Sequence, residues 1–145
     1  TLREAVLEDG WLTIGEARGK IMFMFDGEEF SKVYKGEQLS LEGKLIFTNA
    51  NEKDADAAFV KVNDPFDAKI SSLVKQGFMV RSMIGGVKQA KSGDYSLWKA
   101  GKAAGVHFLS TDYYKADKRA GVVAGWTDFH VGVENHSYQI NPLTK

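Results

Sequence analysis

The hydrophobic pattern of the chain alternates short apolar runs with amphipathic stretches. Residues 20–27, 44–49, 58–63, 78–82 and 105–112 are runs rich in aliphatic and aromatic side chains, and polar residues stand at or just after the end of each. Runs that are apolar on both faces are typical of buried strands in a parallel sheet. We therefore predict four or five parallel strands. We expect the run at 20–27 to be fully buried and the run from Gly105 to form a buried strand with Ser110, Thr111 and Asp112 at its end.

Helical stretches precede and separate these runs. Leu2 and Val6 predict a helix over 2–9, and Thr13 with Glu16 predicts a capping box. Asp64 and Pro65 predict the start of a helix that is lined by Ile70, Leu73 and Val74. Gly105 is predicted to be the left-handed end of a helix over 94–104. Strand and helix alternate from residue 58 onward, which predicts an α/β fold with βαβ units. A β-hairpin over 129–133 and 137–140 is predicted at the C-terminus.

Polar side chains lie at the ends of the predicted strands. They are Asp26, Asn63, Arg81, Ser110 and Asp112. Because the C-terminal ends of parallel strands meet at one edge of a sheet or barrel, we expect these side chains to form one substrate-binding site for a phosphate or a polyhydroxyl group. For any one strand end, a polar residue that simply ends the strand is an equally good interpretation. A functional role is predicted more strongly for Arg81, because a charged side chain directly after the apolar run Phe78-Met79-Val80 is costly to bury without a partner.

Composition excludes several kinds of protein. Nineteen basic and nineteen acidic residues cancel, which argues against nucleic acid as a purely electrostatic partner. The absence of cysteine excludes disulfides and thiolate metal sites. The acidic run 52–56 is interpreted as a solvated loop, and His107 as a core residue of its strand. With three dispersed histidines no zinc site is predicted, and no acid–base pair is recognised, so we assign no catalytic residue to this chain.

Several short motifs, in order, resemble the C-terminal half of calcium-dependent, phosphatidylinositol-specific phospholipase C-like phosphodiesterases of the bacterial and fungal type. The motifs are Gly10-Trp11, Glu16-Ala17-Arg18-Gly19-Lys20, Leu45-Ile46-Phe47-Thr48, Ala58-Phe59, Val62-Asn63-Asp64-Pro65, Gly77-Phe78-Met79-Val80-Arg81, Ser110-Thr111-Asp112-Tyr113 and Asn141-Pro142. The chain departs from that pattern after Arg81, where members carry a further Arg and an Asp and this chain has Met83 and Gly85. It also has Ile140 where members tend to have Cys.

The resemblance implies a distorted (β/α)₈ TIM-type barrel that cleaves a phosphodiester beside inositol or a similar polyol. It implies that two catalytic histidines and the calcium ligands belong to an N-terminal half, while the C-terminal half contributes substrate contacts and closes the barrel. It further implies a phosphoinositide or related substrate, a role in lipid metabolism, and an extracellular or periplasmic location.

Strand counting leads to the same expectation of a larger assembly. A closed barrel needs eight strands and about 250 residues, whereas this chain supplies four or five. We therefore expect residues 1–145 to be a single unit, one half-barrel of a larger phosphodiesterase domain, with the N-terminal half on a separate chain or segment. The start at Thr1 rather than Met fits a processed or incomplete polypeptide. Two alternatives stay open: a non-catalytic sugar- or phosphate-binding or structural half-barrel, and a self-contained α/β binding domain of flavodoxin-like type.

Overall fold

The computed structural model describes residues 1–132 and 141–143. The chain divides into two compact units, which are Thr1–Lys61 with Leu73–Val80, and Val62–Ser72 with Arg81–Lys145. Within the described residues, no helix is long and apolar enough to cross a membrane.

Helices and strands alternate along the described part of the chain. In order they are α1 (Leu2–Glu8), α2 (Ile14–Ala17), β1 (Met24–Phe25), α3 (Glu28–Lys35), β2 (Phe47–Thr48), β3 (Phe59–Lys61), α4 (Lys69–Gln76), β4 (Met79–Gly85), α5 (Val87–Ser92), α6 (Ser96–Ala103) and β5 (Phe108–Thr111). The division between the units passes through α4 and β4.

The strands of the first unit are neighbours in chain order. β1 and β2 pair in parallel, with Met24 opposite Phe47. A parallel bridge between Asn49 and Phe59 then links the residue after β2 to β3. The Asn49 side chain strengthens this link, because its Oδ1 accepts a hydrogen bond from the backbone N–H of Lys61 at 2.9 Å. The start of β4 follows, since the N–H of Met79 donates to the carbonyl of Ala58.

The strands of the second unit continue the same order. β4 and β5 pair in parallel, with Arg81 opposite Phe108 and Met83 opposite Ser110, and the register shifts between Met83 and Gly85. The N–H of Val62, just after β3, donates to the carbonyl of Arg81. The sheet order is β3–β4–β5. Parallel sheets with alternating helices confirm the α/β class, and the described residues form no closed barrel.

One helix covers one face of β4 and β5. Gly101 of α6 lies so close to this face that an added Cβ would stand 2.9 Å from side-chain atoms of both Ile84 and Leu109. Ile84 also belongs to a core cluster with Phe129, which is completely buried. The opposite face of β4 and β5 carries Arg81 and its neighbours.

The two apolar runs expected to be buried are partly exposed. Ile21 is 78% exposed and Phe23 is 58% exposed, and only Met24 and Phe25 of that run form a strand. Phe108, the first residue of β5, is 42% exposed. The two runs form β1 and β5, the first and last strands along the chain. Each of these strands pairs with one other strand among the described residues. Burial on both faces requires further neighbours, which the described part of the chain does not supply.

The predicted helices are largely confirmed, with one displaced start. The capping boxes of α1 and α2 are formed, and Ile70, Leu73 and Val74 are buried. α4 begins at Lys69 instead of Pro65, because the Asp64 side chain accepts from the N–H of Phe66 and closes a turn. Gly105 has the expected positive φ of 77° after α6.

Two further predictions differ from the structure or lie beyond it. β4 continues to Gly85, three residues beyond the predicted run 78–82, and α5 after it was not predicted. The C-terminal hairpin falls mainly on residues 133–140, which lie outside the described residues. Of its first strand, Phe129 to Gly132 are described, and they form no strand there.

The acidic run 52–56 contains a buried ion pair, so its interpretation as a solvated loop is wrong for Asp56. The Asp56 side chain is 1% exposed and lies 3.0 Å from Nζ of Lys35. Its second partner is the hydroxyl of Thr48 in β2, at 2.5 Å. The pair thus joins α3 and the 50–57 loop to the end of β2.

We predict that Lys35→Met lowers the free energy of unfolding by about 3 kcal/mol, because it leaves a buried carboxylate without its cation. The matched control is Lys32→Met on the same helix, whose ion pair with Glu28 is solvent-exposed. The control should change stability by at most about 0.5 kcal/mol. Denaturant unfolding of the native protein measures both, and equal stability of the two variants would contradict the structural role of Asp56.

Candidate functional site

Arg81 lies on the face of β4 that α6 leaves uncovered. Along β4 the side chains alternate: Val80, Ser82 and Ile84 are buried, whereas Arg81 is half-buried and Met83 is exposed. This alternation is the normal period of a strand. It places the guanidinium on the accessible side of the sheet.

Two neutral side chains from the adjacent strands hold the guanidinium. Arg81 Nη1 donates to Oδ1 of Asn63 at 2.8 Å, and Nη2 donates to Oγ of Ser110 at 2.8 Å. Asn63 stands two residues after β3, and Ser110 lies in β5. The parallel register therefore brings three of the five predicted site residues together in the second unit.

Among the described residues, no carboxylate lies within ion-pair distance of the Arg81 guanidinium. A guanidinium has five N–H donors, and the contacts to Asn63 and Ser110 use two of them. The half-buried side chain therefore keeps a full positive charge and donors for an anionic or polyhydroxyl ligand.

Asp112 lies beyond the end of β5 and is exposed. Its neighbours are fixed, because the Thr111 hydroxyl donates to the carbonyl of Gly85 and accepts from the N–H of Tyr113. Within the described residues Asp112 makes no ion pair with Arg81. It thus stands near Ser110 in sequence without joining the hydrogen-bonded group.

Asp26 belongs to the first unit, where it pairs with a residue that the sequence analysis missed. Its Oδ1 lies 2.5 Å from Nζ of Lys61 in β3. Lys61 has the same signature as Arg81, a long cationic side chain directly behind Phe59 and Val60 in an apolar strand. That signal could have identified it as a candidate.

His107 is not a core residue. It directly precedes β5, and its side chain is exposed, so the sequence interpretation is wrong. Neighbouring atoms still desolvate the ring enough to lower the pKa of His107 below its ordinary value. A lowered pKa favours the neutral imidazole at physiological pH.

The described residues of this chain do not fit a calcium ion. Calcium takes six to eight oxygen ligands, mainly from carboxylates and carbonyls. No group of three or more Asp, Glu, His or Cys side chains in residues 1–132 and 141–143 is placed to hold a metal.

Fold and site together define an α/β protein with parallel strands and an uncompensated arginine among neutral hydrogen-bonding side chains, a geometry suited to a phosphate or polyol ligand. A comparison with protein families matches residues 1–142 to the family described as phosphoinositide phospholipase C, Ca2+-dependent. The chain belongs to this family. No curated protein and no solved structure matches the chain.

Family membership supports four of the expectations from the sequence. The resemblance to calcium-dependent phospholipase C-like phosphodiesterases is confirmed. The family supports a phospholipase C-like hydrolase role and a phosphoinositide substrate, and it is Ca2+-dependent, which makes calcium the cofactor. The roles of Asp26, Asn63, Arg81, Ser110 and Asp112 stay predictions.

We predict that Arg81→Ala lowers kcat/KM on a phosphodiester substrate by roughly ten- to a hundredfold, because a hydrogen bond to a charged group contributes about 1.5–3 kcal/mol. Arg81→Lys should recover only part of this loss, since an ammonium keeps the charge but not the planar fork. Steady-state kinetics and a thermal melt measure activity and stability separately.

The control for this prediction is Arg18→Ala, which removes an exposed arginine that follows α2 and should leave the kinetics unchanged. A purely structural role for Arg81 predicts the opposite pattern from ours. Activity within twofold of the parent, together with a melting point lowered by several degrees, would contradict a substrate-binding role.

Proposed function

We propose that this chain is the C-terminal half of a distorted (β/α)₈ barrel in a phosphoric diester hydrolase that acts on a phosphoinositide or a related polyol phosphodiester. The observation that carries the proposal is the Arg81 guanidinium, bonded to Asn63 and Ser110 and free of any carboxylate among the described residues. Membership in a phosphoinositide phospholipase C family supports a phosphodiester as the ligand.

The order of the strands supports a barrel segment. Strands that pair in parallel with their neighbours in chain order are the arrangement of a (β/α)₈ barrel. Five of the eight strands that closure requires are present in the described residues. The exposed apolar residues Ile21, Phe23 and Phe108 belong to the runs of the first and last of these strands, where additional strands would cover them. We therefore propose that an N-terminal half, on a separate segment or chain, completes the barrel.

Arg81 has the chemistry to bind the phosphodiester. Cleavage of a phosphodiester builds negative charge on the non-bridging oxygens, and a fixed guanidinium stabilises that charge without reorganising. Asn63 and Ser110 orient the fork and, as neutral partners, leave its charge to the substrate. Asp112, in the same unit as Arg81, is proposed to contact a hydroxyl group of the polyol, because carboxylates accept hydrogen bonds from hydroxyls. A substrate-binding role for Asp26, in the first unit, stays a prediction.

The catalytic groups and the calcium ligands are proposed to lie outside this chain. We assign the acid–base histidines and the calcium-binding carboxylates to the N-terminal half, which fits the absence of a ligand cluster among the described residues. When bound, calcium would stabilise charge on the phosphate oxygens. An extracellular or periplasmic location is likewise part of the proposal and rests on the resemblance alone.

One observation favours a second candidate, a half-barrel that binds a sugar or phosphate without catalysis. Met83 is exposed on the same face as Arg81, at a position where the resembling enzymes carry a second charged residue. A thioether cannot donate a hydrogen bond to a phosphate oxygen. The headgroup accepted by this site can therefore differ from phosphatidylinositol.

The experiment compares the isolated chain with the native protein purified from its source with any accompanying segment or chain. We predict that the native form hydrolyses phosphatidylinositol, that a chelator removes this activity, and that added calcium restores it. The isolated chain should bind calcium no better than millimolar by calorimetry and lack a cooperative melt. Ligand binding without hydrolysis would favour the second candidate. A tight calcium site and a cooperative melt in the isolated chain would contradict the half-barrel.

A further inference from the structure

A long loop leaves the candidate site directly after β5. Residues 114–128, here called the 114–128 loop, are closed at their base by a hydrogen bond from the N–H of Val131 to the carbonyl of Tyr113 at 2.9 Å. The rings of Tyr113 and Phe129 also meet there, with centroids 6.2 Å apart. Both residues belong to the buried core of the second unit. The loop is therefore anchored at its base to the unit that contains Arg81 and Ser110.

Contacts within the loop fix its shape. The Arg119 guanidinium lies 3.5 Å from the centre of the Trp126 ring and donates two hydrogen bonds to the Asp117 carboxylate. These side-chain bonds, with a further one from the Arg119 backbone, lower the pKa of Asp117 to about 2. The pair is thus ionised at any physiological pH. Turn hydrogen bonds from Ala120, Val122 and Val123 complete the fold of the loop.

Two aliphatic side chains stand in solvent between glycines of this ordered loop. Val122 is 81% exposed and Val123 is 46% exposed. Gly121 and Gly125 flank them with φ angles of 72° and 78°, a region that favours glycine. The backbone is thereby turned so that an apolar pair projects from a loop whose base is well packed. Apolar side chains held out in this way are suited to contact with an apolar phase.

Cationic side chains lie in and beside the 114–128 loop. Lys115 and Lys118 of the loop are exposed, and Nζ of Lys91 in α5 lies 5.5 Å from the centre of the Trp126 ring. The loop has three basic and two acidic residues, and one of the acidic residues, Asp117, is already paired with Arg119. The segment that carries Val122 and Val123 therefore has a net positive charge.

We propose that the 114–128 loop docks this protein on an anionic lipid bilayer, with Val122 and Val123 inserted among the lipids and Lys91, Lys115 and Lys118 against the headgroups. The inference rests on the proposed function, since a phosphoinositide substrate lies in such a surface. The charge of the loop complements anionic headgroups, and apolar side chains flanked by cations bind the bilayer boundary. The loop starts four residues after Ser110, so docking would bring the surface to the candidate site.

The test measures binding of the native protein to vesicles of phosphatidylcholine mixed with phosphatidylserine, by co-sedimentation. These vesicles contain no substrate, so binding is read without activity. The double variant Val122→Ser with Val123→Ser should bind at least tenfold more weakly, and Lys118→Ala about fivefold more weakly, because each cation near the surface contributes about that factor. The matched control is Val33→Ser on α3. The Val33 side chain is 84% exposed, and this variant should bind vesicles as the parent does.

Two further measurements separate this proposal from the proposed function. Pure phosphatidylcholine vesicles and high salt should weaken binding of the parent, because the electrostatic part is screened. On a soluble inositol phosphodiester the double variant should keep the parent's activity, and lose it only on vesicles. Vesicle binding equal to the parent's in the double variant would overturn docking by this loop, whatever the activity. If the protein hydrolyses no phosphodiester but still binds vesicles through the two valines, the proposed function alone would be overturned. Binding that does not depend on lipid charge or salt would show that the cations do not contact anionic headgroups, and would also overturn the proposal.

Discussion

The parallel strands β4 and β5 form a pair with two faces, and α6 covers the face that carries Ile84 and Leu109. Each parallel strand can reach its neighbour only through a crossover connection, which here contains α4 between β3 and β4 and both α5 and α6 between β4 and β5. Gly101 shows how closely α6 approaches Ile84 and Leu109. The face opposite to these residues carries Arg81 and Ser110. The placement of the candidate site is therefore a consequence of the parallel order itself.

Charged side chains have different partners in the two units. In the first unit, the buried Asp56 forms an ion pair with Lys35. The Arg81 guanidinium instead donates hydrogen bonds to Asn63 and Ser110. These two side chains occupy two of its donors and, being neutral, do not compensate its charge. A carboxylate in either place would compete with a phosphate for the guanidinium, and neutral partners do not. The chain belongs to a Ca2+-dependent phosphoinositide phospholipase C family, and a phosphate group of such a substrate is the anion that we propose for this guanidinium.

The sequence predicted those features that depend on local pattern. The capping box at Thr13, the apolar face of α4 and the left-handed Gly105 follow from residues a few positions apart. The joining of Asn63, Arg81 and Ser110 could also be anticipated, because parallel register aligns the ends of neighbouring strands. The burial of Asp56 could not be, since it depends on Lys35, twenty-one positions away, and nothing in the acidic run itself signals a partner. The exposure of Ile21 and Phe108 was mispredicted for a related reason. Their burial depends on strands that would flank β1 and β5, and the pattern within a run does not show whether those strands are present.

The most direct test of the account is a crystal structure of the native protein with an inositol phosphate bound. The account predicts phosphate or vicinal hydroxyl oxygens within hydrogen-bond distance of the Arg81 guanidinium, with Asn63 and Ser110 still in contact with it and the strands continued into a closed barrel beyond β1 and β5. A ligand bound elsewhere, with Arg81 contacting only Asn63 and Ser110, would contradict the central claim that this uncompensated arginine is the phosphate-binding group.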